Sequence, residues 1–202
     1  HKFAKKKKIK NILTGGNLQT ESYRPPLYIA YYAGDVTLIS DIQNKFGTIK
    51  LKKYPKLDIL EYKILYNFIY GIKIHQPLNY ISYNKDEAMK TLSKKFDWES
   101  YGGKHYESNY TKFFDAYWKN LKFNHDPRKG QLSSLISTNQ ISKKNALIEL
   151  SKSTYDNQNI KKDFKYIADK LDFTTEELKR LFEGKNKYYY DYKSKAKILK
   201  FA

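Results

Sequence analysis

Cysteine is absent from the 202 residues. That excludes a disulfide framework and any thiolate metal site. Arginine is almost missing: Arg24, Arg128 and Arg180 are the only three. The planar fork that reads guanine and clamps phosphate is therefore scarce. No apolar run approaches the length that spans a bilayer. No secretory leader pattern opens the chain, because Phe3 and Ala4 run into four lysines instead of an apolar stretch. The expectation is a soluble, cytoplasmic protein with no membrane insertion. The first residue is His1, not Met, as in a fragment or a processed product.

What is present is lysine and aromatic side chains. The formal net charge is +18 and aromatics make up 16% of residues, enough to build a real core in one domain or somewhat more. Lysine, isoleucine, asparagine and tyrosine are abundant together, as an AT-rich coding sequence produces. Most of the charge then reads as a solvated lysine surface that favours anionic substrates, not as a nucleic-acid footprint. A lysine-rich nucleic-acid binder remains an alternative, and its binding would fall steeply with salt.

Ile9, Ile12 and Leu13 predict a buried strand that opens into the turn Thr14-Gly15-Gly16-Asn17. Val36, Ile39, Ile42 and Phe46 recur at helical spacing up to Gly47. Ile49 and Leu51 alternate with lysines as a strand does, ending at Pro55. Leu57, Leu60, Ile64 and Phe68 mark a second helix, residues 72–83 an extended run around Pro77, and Ala88, Leu92 and Phe96 a third helix. From Tyr110 the pattern is helical throughout. Tyr110, Phe113, Phe114, Tyr117 and Leu121 share one face, and three further stripes centre on Leu135, Leu147 and Ile167. A Thr174–Glu177 capping box starts the last helix. The tail from Lys185 has no period and reads as loop or loosely attached. Three segments follow: an α/β layer over 1–98, a helical domain over 99–184 and a basic tail over 185–202.

Three constellations carry chemistry. In Thr14-Gly15-Gly16-Asn17 with Glu21, a strand running into glycines aims backbone amides at a ligand, as at the carboxyl edge of an α/β sheet; a plain loop is the alternative. The run Tyr101-Gly102-Gly103-Lys104-His105-Tyr106-Glu107-Ser108 sets a cation, an imidazole, a phenol and a carboxylate behind two glycines, where a loop enters a helix. Lys104 suits an oxyanion or phosphate, His105 a proton shuttle, and Glu107 a group that orients either. Trp98 nearby is either a stacking surface or core. Asp126-Pro127-Arg128-Lys129 is either a phosphate contact or a capping Asp with exposed bases. His1, His75 and His125 have no ligand spacing, so no metal site is expected from them.

These segments, in this order, resemble the N-acetyl sugar amidotransferases of bacterial surface-polysaccharide (lipopolysaccharide) biosynthesis. Phe46-Gly47, Lys50-Leu51-Lys52, Pro77-Leu78-Asn79-Tyr80-Ile81, Phe96-Asp97-Trp98 and Thr111-Lys112-Phe113 carry the resemblance together with the three constellations. It implies a PP-loop ATP pyrophosphatase: an incomplete parallel-sheet, adenine nucleotide alpha hydrolase-like α/β domain followed by an all-helical domain. It also implies ATP with Mg2+, a nucleotide-linked N-acetyl sugar, a glutaminase subunit and a cyclase-like ammonia-channel subunit. Gly15, Gly16, Asn17 and Glu21 would then face the nucleotide or its magnesium. Lys104, His105 and Glu107 would be catalytic, and Tyr101, Gly102, Gly103, Tyr106, Lys112, Arg128 and Lys129 would bind substrate. The family's Ser-Gly-Gly-x-Asp-Ser phosphate loop does not occur in these residues, so the chain is expected to be the C-terminal part of such an enzyme and to turn over no ATP alone. A non-catalytic module that docks a glutaminase is the other alternative.

Overall fold

The computed structural model describes residues 1–156 and 158–199. In chain order its elements are α1 (Lys2–Lys6), β1 (Asn11–Leu13), α2 (Leu18–Glu21), α3 (Val36–Phe46), α4 (Ile59–Glu61), β2 (Lys73–His75), α5 (Lys85–Phe96), α6 (Asn109–Lys112), α7 (Lys119–Phe123), α8 (Arg128–Ser137), α9 (Lys143–Ser151), α10 (Ile160–Lys170), α11 (Thr175–Glu183) and α12 (Ala196–Leu199). α4 runs on as a π-helical segment, Tyr62–Ile69, and a second one, Phe113–Trp118, joins α6 to α7. The protein is mostly helical with a small two-strand parallel sheet. The chain divides into two compact units. One comprises His1–Gly16, Pro26–Tyr80 and Lys187–Ala202; the other comprises Asn17–Pro25 and Ile81–Asn186.

In the first unit β1 lies parallel to β2, with Ile12 opposite Ile74. Its core joins Ala4, Tyr66 and Ile72 to Ile12, Leu57, Leu65 and Tyr70. The strand expected at Ile49 and Leu51 does not form. The backbone there is irregular and Ile49 is 79% exposed. An alternating strand is stable only where a neighbour pairs it and a core covers its apolar face, and this one has neither. The extended run after Ile72 is a strand only to His75 and then tightens into a 3-10 turn, Pro77–Tyr80, because Pro77 has no N–H for a ladder.

The described part of the tail, residues 185–199, is folded and anchored, contrary to expectation. It forms a 3-10 turn, Tyr189–Asp191, and the helix α12, whose Leu199 is buried. Three aspartates of the first unit grip it. Asp41 Oδ2 accepts the Lys193 N–H at 2.9 Å, and Asp35 Oδ2 accepts the Lys195 N–H at 2.6 Å. The Lys195 ammonium donates to Asp58. Asp35 is fully buried and also caps α3 through the N–H groups of Thr37 and Leu38. Its Oδ2 further accepts the Tyr31 hydroxyl, which burial and then this carboxylate push up to about 12. The Tyr31 ring stacks on Tyr189 at 4.5 Å. Asp41 is buried, whereas Ile42 and Phe46, which apolar periodicity assigned to the buried face of α3, are exposed.

The second unit is built around Phe113. Its ring meets Tyr117, Trp118, Tyr155 and Phe164 at centroid distances of 5.2 to 6.3 Å. Ala116, Ile167, Ala168 and Leu178 close the cluster. The wider π-helical turn brings both Tyr117 and Trp118 to the side of Phe113. It also rotates the expected apolar face, leaving Tyr110 and Leu121 exposed. The Thr174–Glu177 capping box forms as expected.

Two outcomes follow from this packing. Phe113→Ala is expected to cost about 3–5 kcal/mol in urea denaturation. Lys195→Met is expected to cost about 1–2 kcal/mol, since it removes one charged hydrogen bond and leaves Asp58 partly buried. Burial pushes the Asp58 carboxyl up, but Lys195 and the Leu60 N–H hold it below its ordinary value; Lys45 and the Lys193 N–H do the same for Asp41. Both contributions are therefore complete above the unfolded carboxylate value of about 3.9 and are lost as pH falls through the lowered folded values. Acid titration followed by tyrosine near-UV dichroism should show this loss, and Lys195→Met should shrink it.

Candidate functional site

The glycine loop is folded around one aromatic ring. Asp97, in the left-handed region at φ 50, ends α5, and Ser108 caps α6 by accepting the Thr111 N–H. Between them Gly102 takes φ 81, and a Cβ on Gly103 would lie 2.6 Å from carbons of the Tyr106 ring. Tyr106 packs against the Phe113 cluster, and burial raises the pKa of its phenol. With Tyr106 turned inward, Lys104, His105 and Glu107 are left on the outer side. His105 holds φ 65, uncommon for a residue with a side chain. Its Nδ1 lies 3.7 Å from Glu107 Oε1, and more than half of each side chain is exposed.

Two constellations distant in sequence meet here. The Lys104 ammonium donates to Glu21 Oε1 at 2.6 Å. Asn17 is buried and caps α2, its Oδ1 accepting the N–H and the hydroxyl of Thr20. Its backbone N–H also reaches the Glu21 carboxylate. Lys104 foremost, opposed by some burial and assisted by that N–H and by His105, lowers the Glu21 pKa. The side chains of Lys104 and Glu21 are 32% and 42% exposed. Ion pairs this open are worth about 0.2–1 kcal/mol and are screened by salt. The pair is too weak to hold the loop, and an incoming anion can take Glu21's place on Lys104.

The other expected residues are distributed differently. Tyr101 meets Trp98 edge to face at 5.6 Å. The Lys112 ammonium lies 5.9 Å from the Tyr106 ring centre and 5.7 Å from that of Tyr155. Arg128 has an internal partner for each guanidinium nitrogen. It holds Asp126 through Nε and one terminal nitrogen, and the carbonyls of Glu149, Leu150 and Lys152 at the end of α9 through its terminal nitrogens. Burial pushes the Asp126 carboxyl up, but Arg128 more than offsets this and keeps it low. Lys129 is exposed. Gly15 and Gly16 belong to the first unit, where the Thr14 N–H donates to the His75 carbonyl at 2.9 Å. Among the described residues no cluster of His, Asp and Glu has the composition of a metal site.

The sequence reading missed Asp115. It pairs with Lys119 at 2.7 Å and acts on the charges of both Tyr106 and His125. The four-residue Asp–Lys spacing on one helix was the available signal. Burial first, then Lys119, lowers the His125 pKa.

Residues 107–202 match the family model described as LPS biosynthesis protein WbpG-like, C-terminal domain. The match links this segment to lipopolysaccharide biosynthesis. It takes in Glu107, Lys112, Arg128 and Lys129, and begins two residues after His105. No curated protein and no solved structure matches the chain. Among the described residues no helix is long and apolar enough to cross a membrane.

The backbone of this loop separates its chemistry from its stability. His105→Gly removes the imidazole and relieves a left-handed residue, so urea denaturation should show no loss and up to about 1 kcal/mol gained. Gly102→Ala should cost about 1–2 kcal/mol for the same reason in reverse.

Proposed function

We propose that this chain is the substrate-handling part of an ATP-dependent N-acetyl sugar amidotransferase. It would convert the acetamido group of a nucleotide-linked sugar to an acetamidino group in lipopolysaccharide biosynthesis. The observation that carries the reading is the WbpG-like match, which starts within the Tyr101–Ser108 loop on which the resemblance chiefly rests. The meeting of Lys104 with Glu21 supports it, since one surface then holds residues from both the Asn17 and the Lys104 constellations. The same reading assigns the first unit to an adenine nucleotide alpha hydrolase-like domain, of which β1 and β2 would be one parallel pair.

In the proposed reaction the amide oxygen of the sugar attacks the α-phosphorus of ATP and pyrophosphate leaves. Ammonia then adds to the activated carbon, and AMP departs with the oxygen. A glutaminase subunit and a cyclase-like channel subunit would supply the ammonia. The chain's own residues have three tasks. Lys104, released from Glu21, neutralises charge on a phosphate or on the developing oxyanion. His105 accepts a proton from the adding ammonium and passes it to solvent or to Glu107. Gly103 and Tyr106 fix the loop that presents both. The residues fit a phosphate better than they fit magnesium at Glu21, whose carboxylate already holds Lys104 and the Asn17 N–H. No step is therefore assigned to a metal there.

The test uses protein expressed from the whole reading frame, supplied with ATP, ammonia and a UDP-linked N-acetyl sugar, with the product read by mass spectrometry. Amidine and AMP should form together. Lys104→Ala should lower kcat about 10²–10³-fold, and His105→Gly about 10²-fold with stability intact. An unmodified sugar, or full activity in both variants, would contradict the reading.

A further inference from the structure

The loop that carries Lys104 begins at a second feature which the proposed chemistry does not use. After Asp97 the chain turns back on α5. The Trp98 N–H points to the Leu92 carbonyl at 3.5 Å, and the Ser93 hydroxyl donates to the Trp98 carbonyl at 2.7 Å. Tyr101 meets the indole edge to face. This fold-back opens a groove of about 610 Å³. Met89 and the half-buried Trp98 give it an apolar floor, and Lys90, Lys94, Ser93 and Ser100 line it as polar groups, with one carboxylate, Asp86, to weigh against the two ammonium groups. Lys90 and Lys94 stand one helical turn apart on the same face. Ser100 continues into the glycine loop, where its hydroxyl accepts the Gly102 N–H at 3.3 Å.

An indole beside two cations suits a ligand that is planar and apolar at one end and anionic at the other. Inorganic phosphate would leave the indole unused, and an uncharged ring would leave both lysines unused. A nucleoside diphosphate uses both, with the base against Trp98 and the phosphates on Lys90 and Lys94. Stacking of a base on an aromatic side chain is typically worth about 1–3 kcal/mol. We propose that this groove binds the nucleoside diphosphate of the sugar donor, so that the acetamido sugar extends toward the loop of Lys104 and His105. The proposal rests on the sugar-nucleotide reading above and names the part of the substrate that this groove takes.

Calorimetric titration of the 202-residue chain with UDP, uridine and inorganic phosphate tests it. UDP should bind most tightly. Trp98→Ala should weaken UDP at least tenfold, whereas Trp98→Phe, which keeps a ring, should retain most of the affinity. Lys90→Ala with Lys94→Ala should weaken UDP at least tenfold and leave uridine unchanged. Near-UV dichroism from Trp118, in the Phe113 cluster, checks that the variants are folded. Phosphate binding as tightly as UDP, no binding of UDP, or wild-type affinity in a folded Trp98→Ala variant overturns the proposal. The amidine assay keeps the two readings apart. UDP binding through Trp98 without amidine formation removes the amidotransferase and leaves the groove. Amidine formation with an unchanged KM in Trp98→Ala removes the groove and leaves the amidotransferase.

Discussion

The packing of Phe113 is the constraint on which the candidate site depends. Its ring is held among Tyr117, Trp118, Tyr155 and Phe164, and Tyr106 rests on the same cluster. Once Tyr106 is placed, little freedom is left to the loop. Gly103 must lack a side chain to lie against the ring, Gly102 must take a left-handed turn, and His105 is carried into one as well. Lys104 and His105 are then presented outward by a loop whose inner side is core. Rigid support beneath an exposed polar surface is what a binding site needs if it is not to spend affinity on ordering itself.

The charged groups of the second unit fall into two kinds. Arg128 is committed: Asp126 and three carbonyls take all its nitrogens, tying the start of α8 to the end of α9. To recruit it for a phosphate would break several charge-assisted hydrogen bonds worth about 1.5–3 kcal/mol each. Lys104 is not committed. Its one side-chain partner among the described residues is an exposed carboxylate, at a cost to separate of about 0.2–1 kcal/mol. That contrast makes Lys104 the readier phosphate ligand, although the sequence offered Arg128 as a phosphate contact too.

Local chemistry was legible in the sequence where it depends on near neighbours. The Thr174–Glu177 capping box forms as its residue types dictate. Apolar periodicity was less informative. The π-helical turn at Phe113–Trp118 shifts the phase of its helix, so Tyr110 and Leu121 face solvent. Asp41 is buried and accepts the N–H of Lys193, 152 positions away, a partner that periodicity does not display. The glycine loop stands out in the sequence by its density of polar groups. Its pairing with Glu21 does not, since 83 residues separate Glu21 from Lys104. The lysine-rich tail was misread because its order comes from backbone N–H groups donated to aspartates, and a sequence pattern does not display those.

The central claim is that the Lys104–Glu21 pair opens to receive an anionic substrate. The most direct measurement is the Glu21 carboxyl pKa, followed by carbon NMR with and without ATP in the presence of a UDP-linked N-acetyl sugar. Without ATP it should lie below the ordinary glutamate value, held there by Lys104. With ATP it should rise toward that value as the substrate takes the ammonium. A Glu21 carboxyl that titrates identically in both states, while ATP is bound, would contradict the account.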